Sequence, residues 1–190
     1  MQAYGAPDLA RSFRTVRKNT ITIAEDIPEE QYAFRAAPGV RTVAETLAHI
    51  AVAPRWPAQA HAARLTFIDF PAFSAAMEQQ ARDEAALTTK TQIVDALRRE
   101  GDAFAAWLET LSDAGLAERV GFPPPVEPSS RTRFEMLLSV KEHEMHHRGQ
   151  LMLVERLLGI VPHLTRAFQE RAAQRQRQTP EPSVSQHADR

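Results

Sequence analysis

Apolar positions recur at helical spacing over four long stretches of the chain, and nowhere do they alternate convincingly as a strand would. Leu9, Phe13, Val16, Ile23 and Ile27 step by three, four and multiples of these after Pro7-Asp8, which predicts a first amphipathic helix over about 8–26. Pro28 and the Ala37-Pro38-Gly39 turn break the pattern. Thr42, Val43, Leu47 and Ile50 then open a second helix, and that helix carries His49. Pro54 removes a backbone donor and crowds the carbonyl of Ile50, so a kink or an end is expected within a turn of His49, with Pro57 repeating the disturbance. A cavity can open at such a break. Residues 64–86 read as a connecting segment with some helix, and the phenylalanines clustered there, Phe67, Phe70 and Phe73, are expected mostly to fill the core. Thr89 with Gln92 forms a capping box ahead of Ile93, Leu97, Phe104, Trp107 or Leu108, and Leu111, a third helix.

The prolines of the stretch 121–128 force an extended path suited to a long crossing connection. Thr132 with Glu135 caps a fourth helix whose stripe is Met136, Val140, Leu151, Val154 and Leu158, with Gly159 as its stop. Beyond Phe168 the chain turns to Gln, Arg, Pro and Ser, too poor in apolar surface to offset the entropy of ordering, so disorder is expected over 169–190. The pattern as a whole predicts an all-α protein: one four-helix bundle over residues 1–168, with a long connection before the last helix.

Composition narrows the class without naming a partner. Hydrophobic residues make up 43% of the chain and charged residues 25%, and 23 basic against 24 acidic side chains leave a formal charge of -1. At 190 residues this is an ordinary globular profile with one core. Lys and Arg are dispersed rather than gathered on a face, which argues against nucleic-acid binding. No run of about 18 apolar residues occurs and no basic segment precedes an apolar one at the start, so neither a membrane span nor secretion is expected, and the cytoplasm is the default. There is no cysteine, so any metal must be held by His, Asp or Glu.

That limit turns attention to the histidines. His143 and His147 stand four residues apart, so on a helix they leave from one face and can converge on one ion. They interrupt the stripe of Met136, Val140, Leu151 and Val154, which points them at the core, where an unpartnered polar group costs on the order of 1–3 kcal/mol. His49, a turn before the proline break on another helix, is the best-placed third ligand. Three His with an open position is the arrangement of a catalytic metal site, and zinc and nickel both suit imidazole. A pair of His at this spacing also occurs by chance and then caps or pairs with carboxylates.

His143-Glu144-Met145-His146-His147 also fits the HExxH pattern of zinc peptidases, in which Glu144 would be the general base of a metal-dependent hydrolase. The Gly-x-x-His extension of one such group is missing. His146 projects about 100 degrees away from His147 and should face another helix, an interface or solvent. His61, His163 and His187 are expected to be structural or surface residues.

His143-x-x-x-His147-Arg148-Gly149-Gln150 on the last long helix, with His49 inside Thr42-Val43-Ala44-Glu45-Thr46-Leu47-Ala48-His49-Ile50, resembles the DinB/YfiT-like superfamily. The resemblance extends to Asp26-Ile27-Pro28, Arg131-Thr132-Arg133 and Leu158-Gly159-Ile160, roughly residues 8–168. It implies an up-down-down-up four-helix bundle, commonly a homodimer, holding zinc or nickel at His49, His143 and His147. It also implies a small-molecule substrate and a transferase or isomerase activity dependent on a low-molecular-weight thiol such as bacillithiol, mycothiol or glutathione. Arg148 and Gln150 would then make hydrogen bonds behind the ligands or across an interface, and Gly149 would allow close helix approach. A non-catalytic alternative is a dimeric stress or binding module that the metal only stabilises.

Overall fold

The computed structural model describes residues 4–178 and is built almost wholly of helices. The four helices expected from the periodicity are α1 (Ala6–Asp26), α2 (Val43–Val52), α5 (Lys90–Glu109) and α7 (Arg133–Leu157); between them lie α3 (Arg55–Ala62), α4 (Phe70–Ala85) and α6 (Asp113–Ala117), and α8 (His163–Gln178) follows. α1 packs on α5 and α7, α2 packs on the same two, and α4 lies on α2. Among the described residues no helix is long and apolar enough to cross a membrane.

The boundaries follow local chemistry. Thr42 and Glu45, Thr89 and Gln92, and Thr132 and Glu135 form reciprocal capping boxes at the starts of α2, α5 and α7. α2 stops at Val52 and α3 starts at Arg55, because Pro54 has no N–H to continue the ladder; Pro57 falls in the first turn of α3, where that lack does no harm. Gly159 ends α7 at φ +78°, a left-handed conformation that costs glycine little.

Three expectations are corrected. The segment 64–86 contains a full helix, α4, which Asp69 starts by accepting a 2.8 Å hydrogen bond from the Ala72 backbone N–H. The long connection holds a small antiparallel pair, β1 (Arg119–Gly121) with β2 (Ser130–Thr132). Disorder after Phe168 is not what the structure shows as far as Gln178, where α8 continues as helix; Arg and Gln are strong helix formers even without a core to pack on. Residues 179–190, including His187, lie outside the described residues.

Two apolar clusters fill the bundle. One joins Ile23, Ile27, Leu47, Ile50, Ile93, Leu97 and Leu151. The other joins Leu9, Phe13, Phe104, Leu108, Leu137 and Val140. Arg17 of α1 binds all three neighbouring helices of the bundle: it donates to Leu97 O of α5 at 2.8 Å, to Ile50 O of α2 at 3.1 Å, and to Glu144 of α7. Gly101 leaves room for it, since a Cβ there would stand 2.7 Å from Arg17 Cγ.

Candidate metal centre

α2 brings His49, and α7 brings His143 and His147, to one place between them. His49 Nε2 lies 3.0 Å from His143 Nε2, and His147 Nε2 lies 3.1 Å from the same atom. One ligand atom from each of the three lies within 4.8 Å of the others. The sequence spacing predicted this set, and the structure brings all three members together.

The outer nitrogens decide what the inner ones can do. His49 Nδ1 is 2.7 Å from Glu84 Oε1 of α4, and His147 Nδ1 is 2.9 Å from Gln150 Oε1. A carboxylate and an amide carbonyl only accept, so both Nδ1 atoms carry a hydrogen, and in a neutral ring so held it is Nε2 that presents the lone pair. His143 Nε2 can offer one hydrogen to two such neighbours at most. Three imidazole nitrogens that cannot satisfy one another, each aimed at the same point, suit a cation better than any hydrogen-bonding scheme among themselves. Burial first, and then the neighbouring His147 and His49, holds the His143 pKa down at about 4. His147 is lowered too, chiefly by burial and against the opposing effect of Gln150. Neutral imidazole is the form that ligates metal.

Glu84 is the residue that sequence reasoning missed. Gln80, one turn earlier on α4, donates to Glu84 Oε1 at 2.8 Å and so helps to fix it. α4 is itself tied down by Arg55, which donates to Asp83 at 2.6 Å and to Glu100 of α5 at 2.7 Å. A start at Asp69 followed by Gln80 and Glu84 four apart was the available signal.

The base expected at Glu144 is not free to act. Arg17 Nε donates to its two oxygens at 3.0 and 3.1 Å and Arg17 Nη2 to Oε2 at 2.9 Å, with Glu144 only 2% exposed. One residue along the helix from His143, Glu144 faces α1 and its arginine rather than the histidine cluster, so the HExxH match here is a structural ion pair. Gln150 takes the hydrogen-bonding role expected of it behind His147, while His146 is exposed and reaches Gln150 Nε2 at 3.2 Å. Arg148 does not join the site; its buried Nε has no partner, and its charge acts on His163. Nor does Gly149 mark a close approach, since a Cβ there would meet nothing within 4 Å. His61 is bound by Arg133 at 3.0 Å and His163 by Asn19 at 3.2 Å, both away from the centre.

Two cavities open on the histidines. His49 and His143 line one of about 270 Å³ at the α2–α3 break, together with Ala53, Trp56 and Pro57. His147 lines another of about 350 Å³, with Arg41, Thr46 and Gln150.

A helical bundle whose facing helices bring three histidine nitrogens within reach of one point defines a fold with a group that could hold a metal ion. The chain belongs to the DinB superfamily, whose family model matches residues 12–151. A DinB-like protein, YjoA, from Bacillus subtilis has a similar crystal structure, with TM-score 0.59 at 20% identity over 80% of this chain and 91% of that one. At this identity the likeness is one of fold. No functionally curated protein matches the chain.

Proposed function

We propose that the protein is a metal-dependent enzyme that holds zinc or nickel at His49, His143 and His147 and uses a low-molecular-weight thiol in a transfer or isomerisation reaction. The observation that carries this reading is the convergence of three Nε2 atoms whose Nδ1 hydrogens, at His49 and His147, are already committed to Glu84 and Gln150. A divalent ion at such a set supplies Lewis acidity that keeps a thiol ionised at neutral pH. The Nδ1 atoms of His49 and His147 orient their rings, and the role of the three histidines in this reading is to ligate. Arg41, in the cavity that His147 lines, adds a positive charge that favours an anionic sulfur nearby. The cavity on the His49 and His143 side leaves space for the electrophile. A hydrolase reading lacks its base, since Glu144 is held by Arg17.

The test is elemental analysis of untagged protein beside its His147→Ala variant, followed by depletion of bacillithiol, mycothiol or glutathione with a model electrophile. About one zinc or nickel per chain, lost in the variant, with thiol consumed only by the metal-loaded protein, is the expected result. Metal without turnover on a broad panel would instead favour a metal-stabilised binding module. Homodimerisation belongs to the same proposal: Leu153 with Leu157 on α7 and Leu164 with Phe168 on α8 are exposed at i, i+4 spacing. Light scattering on eluted protein should return twice the chain mass of 21.3 kDa.

A further inference from the structure

The three phenylalanines expected in the core are among the more exposed large apolar side chains of the described residues: Phe67 is 52% exposed, Phe70 49% and Phe73 44%. Phe67 lies against Gly121, but Phe70 and Phe73 line a concave surface, and exposed aromatics in such a setting mark a binding surface more often than they mark waste. Phe73 stands edge-on to Trp56, ring centroids 5.7 Å apart. Trp56, Pro57, Phe73, Ser139 and Val140 line the cavity that opens on His49 and His143. The same five residues line a second cavity of about 330 Å³, whose far wall is Ile68, Phe70, Phe122, Val126 and Met136. The two are lobes on either side of a shared wall, one ending at the metal ligands and the other in an aromatic and aliphatic sleeve.

The sleeve has no use for a charged ligand. Its two ionisable rim groups, Asp69 and Arg131, have opposite signs, and Asp69 already caps α4. His61, which also touches this lobe, is only 4% exposed; burial first and Arg133 second push its pKa down to about 4, so it is neutral. A lobe near 330 Å³ lies within the roughly 300–1,000 Å³ typical of small-molecule sites.

We propose that the electrophilic substrate carries an uncharged aryl or arylalkyl arm, which lies along Trp56 and Phe73 into the Phe70–Phe122 lobe while its reactive end faces His49 and His143. This rests on the metal-site reading of the previous subsection and adds the substrate class to it. The arm leaves water for an apolar sleeve, so affinity should rise with its apolar area and be insensitive to salt. The arm would cross from one lobe to the other at the five residues they share.

The test uses two metal-chelating probes that differ only in the arm, acetohydroxamate and phenylbutyrohydroxamate, titrated calorimetrically into full-length protein whose metal content has been measured. The aryl probe should bind at least about tenfold tighter, with an affinity ratio that does not change with salt. Ser139→Phe, which plugs the shared wall, and Phe70→Ala, which strips the far lobe at an exposed position, should each bring the ratio of the two affinities towards one. Metal bound, with both probes equal in the wild type, would overturn the aryl-arm proposal and leave the metal centre standing. A wild-type preference that survives in both metal-loaded variants would place the aryl group elsewhere and overturn it as well. Protein that takes up no metal, and neither probe, would sink the metal reading and this proposal with it.

Discussion

Glu84 sits 35 residues from His49 in sequence and 2.7 Å from it in space, and it fixes which nitrogen of that ring is left to bind. A partner of this kind is worth roughly 10–100-fold in metal affinity. Glu84→Gln should therefore weaken metal binding by that order in a chelator competition, while leaving the fold unchanged by circular dichroism; unchanged affinity would show that the ring is held by packing alone. Glu144→Gln should do the reverse. It leaves Arg17 buried without its counter-charge, which costs on the order of 3–5 kcal/mol, so urea unfolding should shift strongly while the protein that stays folded keeps its metal.

A second buried carboxyl gives a pH signature. Glu155 is wholly buried and neither oxygen has a partner; burial, and after it the charge of Asp26, push its pKa from 4.5 up to about 7. A raised folded-state pKa means that the folded form holds the proton more tightly than the unfolded form, so this contribution to stability is complete below pH 4.5 and is lost as pH rises to about 7. Glu155→Gln should remove that loss. Relative to wild type, the variant should gain on the order of 3 kcal/mol between the two ends of that window, read from urea midpoints at matched pH; parallel curves for the two proteins would show that Glu155 finds a partner.

At the level of elements, α5 carries a glycine where helix propensity alone would put alanine. Gly101→Ala gains up to about 1 kcal/mol in propensity, yet its Cβ would fall 2.7 Å from Arg17 Cγ, midway along a side chain pinned by hydrogen bonds to three helices. Overpacking of that kind costs about 1–3 kcal/mol, so the variant should be less stable than wild type by thermal melting. Stabilisation would mean that Arg17 can move aside.

The elements that could be read from sequence were those with strong periodicity and a capping box. α2, α5 and α7 show both, and α1 shows the first, so the bundle and the three histidines on it were legible. α4 was not, because none of its residues is fully buried and its apolar side chains line cavities instead of a core, which leaves no clear stripe. The β1–β2 pair has three residues a side and exists by pairing across the proline loop, a non-local fact. Arg17 could have been found by the rule that found the histidines: it interrupts the buried line of Phe13, Thr20 and Ala24 as His143 and His147 interrupt theirs. The role of Glu144 could not, since a pattern of five residues does not say which helix its second position faces.

For the whole molecule, the histidine cluster and the Arg17 network both join α2 to α7, and only the first, holding a metal, should respond to a chelator. An ion present at about 100 times its dissociation constant adds about 2.7 kcal/mol, or a melting shift of roughly 5–10 °C for a chain of this size. Stripping the metal from wild type should lower Tm by that order, and the same treatment should leave His147→Ala unmoved. A wild-type protein that melts at the same temperature with and without chelator would show that the bundle draws nothing from its histidines.

α4 carries two things that have so far been described apart. Its first turns hold Phe70 and Phe73, which face the sleeve, and its last turn holds Glu84, which steers His49. Among the helices of the bundle it leans chiefly on α2, and Arg55 anchors it at Asp83, beside Glu84. A helix is stiff along its axis, so a molecule that displaces one end of α4 moves the lever that sets the imidazole at the other. One helix thus carries both the aromatic wall of the sleeve and the carboxylate that orients His49, so a substitution that shifts α4 should be felt in both places.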